Sequence, residues 1–130
     1  MFLLSQKKSI FFPYEKAILD SVAVQLNEEA REIFNRQINL YNRVDRLTNN
    51  REINMYFIKW FKSRNNEIIQ FPLIIPEIKL AKSKVMFKND KGEILAKIPC
   101  EVWLVSGHVF SMHFKSSPTQ FIKYEFEVGC

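Results

Sequence analysis

Residues 81–114 read AKSKVMFKNDKGEILAKIPCEVWLVSGHVFSMHF, and their alternation decides the fold. Ala81, Val85 and Phe87 point one way along a strand while Lys82, Lys84 and Lys88 point the other, with Met86 among the lysines. Asn89-Asp90-Lys91-Gly92 has the chemistry of a hairpin turn, with glycine placed for positive φ. The run Ile94 to Ser106 predicts the next strand, and Gly107-His108 a second tight turn. Val109 to Phe114 then puts Phe110, Met112 and Phe114 on one face and His113 on the other. Pro118 breaks the chain before a last strand from Phe121 to Val128.

Upstream of this meander the period changes from two to 3.6. Pro13 opens a helix at the position where its missing N–H costs nothing, and Tyr14, Ala17, Ile18 and Val22 follow at helical spacing. Asn27 is an N-cap candidate, with Glu28 and Glu29 suited to the positive end of the helix dipole. Ala30, Ile33, Phe34, Ile38, Tyr41 and Val44 form one stripe opposite Glu29, Arg31, Glu32 and Arg36, so this second helix is expected over 28–42. A hairpin turning at Thr48-Asn49-Asn50 follows, with Glu52 to Ile58 as its alternating return strand. Residues 63–78, with Pro72 and Pro76 around Leu73, Ile74 and Ile75, read as a connector or edge segment.

The expectation is one α+β domain over residues 1–130: two N-terminal helices packed on a curved antiparallel meander of four to six strands. A meander with one solvated face buries the other, and the helix over 28–42 is the available lid. Cone-shaped folds of the cystatin or nuclear-transport-factor-2 type have a similar helix-then-sheet order, a resemblance of architecture only.

Composition narrows the functional classes. Twelve Phe supply much core area per residue, which lets a small domain stand without disulfides. Three Gly disfavour loops that bring backbone close to a phosphate. Cys100 lies in an apolar run and Cys130 at the last position, a poor anchor for a bridge, which fits a reducing compartment. Met1 to Leu4 is too short an apolar start for a secretory signal, and no run has the length of a membrane span. The chain is therefore expected in the cytoplasm, without a membrane partner.

All of the net charge of +5 sits in one stretch, residues 59–91. There Lys59, Lys62, Arg64, Lys79, Lys82, Lys84, Lys88 and Lys91 outnumber Glu67, Glu77 and Asp90, while the remainder balances. Such a patch speeds encounter with anionic partners without naming them. Trp60 and Phe61 lie between Lys59 and Lys62, which suits single-stranded nucleic acid, since bases stack on rings and phosphates seek cations. Seven lysines to one arginine argue against base reading, for which arginine is the better fork.

Other clusters carry less. Arg43, Arg46 and Arg51 bracket the turn at 48–50 and could hold a phosphate or a partner's carboxylate, but Asp45 and Glu52 are interleaved with them. Cys100, His108 and His113 are the only zinc candidates and lack the spacing of a metal motif. Cys100 could pair with a histidine, and Glu101, sharing a strand face with Trp103 and Val105, could carry a raised pKa. Phe11, Phe12, Trp60, Phe61 and Phe71 include adjacent pairs that cannot all enter one core, and an aromatic patch rimmed by charge has the anatomy of a protein interface.

The sequence thus points to a non-catalytic domain that binds and occludes a protein partner, in the manner of a toxin-immunity protein and with an acidic partner as the best complement. Lys59, Trp60, Phe61 and Lys62 are the expected anchors, and Lys82, Lys84 and Lys88 the steering face. No metal or cofactor is expected. The alternatives are a nucleic-acid-binding accessory domain using 59–91, and a small-molecule enzyme with Glu101 or His113 lining a pocket between helix and sheet.

Overall fold

The computed structural model describes residues 10–72 and 75–130; the apolar start Met1 to Leu4 and the connector residues Leu73 and Ile74 lie outside the described residues. Helix α1 spans Pro13–Gln25 and opens at the expected proline. The Glu15 carboxylate turns back to accept from the Phe12 backbone N–H at 2.7 Å. Helix α2 spans Glu28–Leu40. Its Asn27 cap accepts from the Ala30 N–H at 2.8 Å, satisfying one of the donors that a helix start leaves open.

Helix α2 stops two residues short of the expected Asn42, because Asn42 has another task. Its side chain donates to the Ile58 carbonyl at 2.9 Å and accepts from the Ile58 N–H at 2.8 Å. Strands β1 (Arg43–Leu47) and β2 (Glu52–Tyr56) then form the expected hairpin. A second, smaller hairpin follows, β3 (Ile58–Lys59) and β4 (Lys62–Ser63). After the connector come β5 (Glu77–Lys88), β6 (Ile94–Val105), β7 (His108–Phe114) and β8 (Glu125–Gly129). The main sheet is antiparallel and open, in the order β1-β2-β7-β6-β5-β8.

Both helices lie on one face of this sheet, α1 across β5, β6 and β8, and α2 against α1 and β7. Between them the inner positions interdigitate. Ile53, Phe87, Ile98 and Met112 from the sheet meet Tyr14, Ile18 and Phe34 from the helices, all essentially inaccessible to water. Register shifts between Lys79 and Ala81, Phe87 and Lys88, and Trp103 and Leu104 break the ladder at three points. Such bulges bend and twist a sheet, which lets its face wrap the helices.

The bulge at Trp103/Leu104 corrects one expectation. Leu104 pairs with Val109 and Trp103 with Ser111, so Phe110 is left between registers. It does not join Met112 and Phe114 in the core but packs edge-on against Tyr56, ring centroids 5.4 Å apart. The tight turn also falls one residue earlier than expected, at Ser106-Gly107, both with positive φ. Gly107 is doubly constrained, since a Cβ there would lie 2.9 Å from the Phe71 carbonyl oxygen.

Tyr14 offers a direct test of the packing. Its ring stands edge-on to Phe87 and Phe114, and among the described residues its buried hydroxyl has no hydrogen-bond partner. Burial also pushes that hydroxyl's pKa up. Tyr14→Phe removes a polar atom that gains nothing, so denaturant unfolding should show unchanged stability or a gain of up to about 1 kcal/mol.

Candidate docking hairpin

Five aromatics had competed for the surface, and the structure separates them. Phe11 and Phe71 are buried in the core, and the guanidinium of Arg46 lies 3.9 Å over the Phe12 ring. Trp60 is 76% exposed and Phe61 fully exposed. They form the tip of the β3–β4 hairpin, whose neck is the cross-strand pair Lys59 and Lys62. The four expected anchors are therefore contiguous.

The backbone at this tip is unusual. Trp60 has φ 58° and Phe61 φ 65°, so both central residues of a two-residue turn are left-handed. Asn-Gly is the pair that such a turn prefers, and the left-handed region costs a side-chain-bearing residue roughly 1–2 kcal/mol. Other positive-φ residues have local relief. Asn49 and Asn50 tolerate that region, and the loop they share with Thr48 is tied by Ser117 and Thr119 hydroxyls donating to the Asn49 carbonyl at 2.6 and 2.7 Å. Ser106 is followed by glycine. The two exposed rings have no such support, and Lys59 facing Lys62 adds like-charge repulsion across the same strands.

The base, by contrast, is held firmly. Besides the two Asn42 bonds to Ile58, the Asn65 side chain accepts from the Phe57 N–H at 2.7 Å and donates to the Met55 carbonyl at 3.1 Å. Asn65 sits in a 3-10 turn, Asn65–Glu67, that returns the chain beneath the hairpin. Two asparagine side chains thus stand in for missing neighbouring strands. Asn65 also lines a recess of about 340 Å³ with Val105, His108 and Phe110.

Replacing the tip with the preferred turn pair, W60N/F61G, should raise stability by about 1 kcal/mol in urea unfolding, because strain is relieved and almost no packing is lost.

The three steering lysines lie elsewhere. Lys82 falls on the row Glu101–His113–Glu52, which crosses the sheet at the start of β2, whereas the hairpin lies beyond the far end of β2. Three strand spacings, about 14 Å, also separate β5 from β2. Lys88 is paired with Glu127 at 2.7 Å and Lys79 with Glu101 at 3.3 Å. Lys82 and Lys84 enter no ion pair among the described residues. The run of basic sequence is thus divided in space and partly offset by carboxylates on β6 and β8.

The remaining clusters disperse as well. Arg46 reaches inward from β1 and grips the fully buried Glu15 with two bonds, 2.6 and 2.9 Å. Arg43 pairs with Asp45, and Arg51 donates to the Lys115 carbonyl. The three arginines thus turn to three separate partners.

Cys100 points into the core, where burial pushes its thiol pKa up, while Glu101 and His113 sit on the sheet face away from the helices. Partial desolvation pushes the Glu101 carboxyl up, but hydrogen bonds from Lys79 and Trp103 outweigh it and leave the pKa lowered, contrary to the expected rise. His108 is buried with Nε2 3.1 Å from the Ile68 carbonyl. The space between helices and sheet is occupied by the core, so Glu101 and His113 line no pocket there. Both cysteines are free thiols, and among the described residues no His, Cys, Asp and Glu cluster could hold a metal ion. No helix among them is long and apolar enough to cross a membrane.

Compared with protein-family models, with curated proteins and with solved structures, the chain matches none.

Proposed function

We propose that this chain is a non-catalytic docking domain that binds and occludes a protein partner through the hairpin Lys59-Trp60-Phe61-Lys62. The observation that carries the reading is a tip of two aromatic rings, exposed and held left-handed, on a base clamped by Asn42 and Asn65. Left-handed backbone at bulky residues is retained where the strain serves a site. Large aromatics at a protruding position are also the residues that most often dominate binding energy. A clamped base leaves little ordering entropy to lose on association. Neutralisation of a partner by steric occlusion, as by a toxin-immunity protein, is the class of activity that fits.

The test is affinity capture from a lysate of the native source, with nuclease treatment of half the sample. The wild-type chain should retain one dominant protein in both halves, and W60N/F61G should lose it. Equal retention by W60N/F61G overturns the hairpin as the docking element.

A further inference from the structure

Resting on that reading, we infer that the partner's docking site is a concave apolar cleft rimmed by carboxylates, and hence not the phosphate-binding cleft of an enzyme that acts on nucleic acid. The shape follows from the tip. Phe61 is fully exposed and Trp60 three-quarters exposed, at the turn of a hairpin only two residues wide. Aromatic side chains of this size bury about 150–250 Å² each. A narrow convex tip can lose that much surface only inside a concavity, since a flat partner would cover one side of each ring.

The sign follows from the neck. Lys59 and Lys62 are directly opposite one another across β3 and β4, both exposed, and neither enters an ion pair among the described residues. Like charges in that position repel. A rim of carboxylates around the cleft removes the repulsion at the moment the rings are buried, so both penalties carried by these four residues are relieved together. A cleft built to hold phosphates is itself cationic and would meet Lys59 and Lys62 with a third and fourth like charge. A bilayer with anionic lipid also offers apolar depth beneath negative charge. Two lysines, however, fall short of the polybasic patch that stable attachment to a bilayer needs beside one apolar anchor.

The experiment uses the full chain as bait in four forms: wild type, W60N/F61G, K59E/K62E, and K97E/K123E as a charge control at exposed lysines away from the hairpin. The captured protein is quantified at low and physiological salt after nuclease treatment, and the purified chain is tested for pelleting with phosphatidylcholine vesicles containing phosphatidylserine. The expected result is loss of the protein with W60N/F61G and at least about a tenfold fall with K59E/K62E. K97E/K123E should change it less than about twofold, and the vesicles should not pellet the chain. If W60N/F61G binds like wild type, or no protein is retained by wild type above W60N/F61G, the docking reading itself fails. If W60N/F61G loses the protein while K59E/K62E keeps it, docking stands and the acidic rim is overturned. Nuclease-sensitive capture, or Trp60-dependent pelleting with vesicles, replaces the protein cleft with nucleic acid or membrane and overturns the inference.

Discussion

Gln37→Ala is expected to lower the unfolding free energy by about 3 kcal/mol, read as a shift of the urea midpoint at unchanged slope. Gln37 is completely buried on α2, and every polar atom of its amide is used. Its nitrogen donates to the Ile69 carbonyl at 2.7 Å and the Gly107 carbonyl at 3.1 Å, and its oxygen accepts from the Val109 N–H at 2.8 Å. One side chain therefore joins α2, the connector and the β6–β7 turn. Truncation leaves a cavity and strips partners from buried backbone groups, each loss costing about 1–3 kcal/mol where no other partner exists. Gly107 retains the Phe71 N–H on its carbonyl at 2.8 Å, which keeps the total below three full penalties. Gln37→Glu should be no milder, since a carboxylate keeps the acceptor for Val109 but offers nothing to two carbonyls. A loss below about 1 kcal/mol for both variants would mean that the amide is not the joint described.

The second large effect is expected at the Glu15–Arg46 pair. Glu15 is inaccessible to water, Arg46 is about one-fifth exposed, and the two are joined by a bidentate contact. Arg46 also donates to the Ile10 carbonyl at 3.1 Å and covers the Phe12 ring, so it ties β1 to the segment entering α1. Arg46→Ala leaves a buried carboxylate without its cation and should cost about 3 kcal/mol, the low end for a broken buried pair because Arg46 retains some solvent. The double variant E15L/R46M should recover most of that loss, since two well-packed apolar side chains replace a buried ion pair at little cost. A double variant no better than R46A would mean that the fold needs the charges themselves, for instance the Glu15 bond to the Phe12 N–H. Thermal unfolding of the three chains separates these outcomes.

Where local chemistry and tertiary packing agree, the fold is legible in the sequence. Asn27 is the helix cap its composition announces, and Asn89 with Gly92 closes the β5–β6 hairpin, the Asn89 side chain accepting from Lys91 and Glu93 backbone N–H groups at 3.0 Å. The alternation of Val85 and Phe87 against Lys84 and Met86 faces core and solvent as its period requires.

Legibility fails where a polar residue is drawn inside. Gln37 stands one helical turn from Phe34 on the apolar face, a signal that an amide there is bonded inward. Arg46 alternates with Val44 toward the core, so its position on β1 marks it as inward-facing before its charge marks it as a phosphate ligand. Phe110 escapes the pattern for a different reason, because it is the extra residue of a bulge, while Met112 and Phe114 beyond it keep the face that their period gives them.

The candidate site divides along the same line. Trp60 and Phe61 stand out as aromatics flanked by lysines, yet Lys-Trp-Phe-Lys contains no turn residue, and no local rule predicts a tight hairpin there. Local preference is overridden at that turn, which is where functional sites are expected to break sequence rules. The lysines of β5 stand apart from the tip for a simpler reason: proximity along the chain is not proximity on a sheet that inserts β7 and β6 between β2 and β5.

The most direct test of the docking account is the amount of partner protein held by W60N/F61G relative to wild type, at equal bait loading and after nuclease treatment. A hairpin that carries the binding predicts near-complete loss from a variant at least as stable as the parent. Undiminished retention by a folded W60N/F61G chain would contradict it.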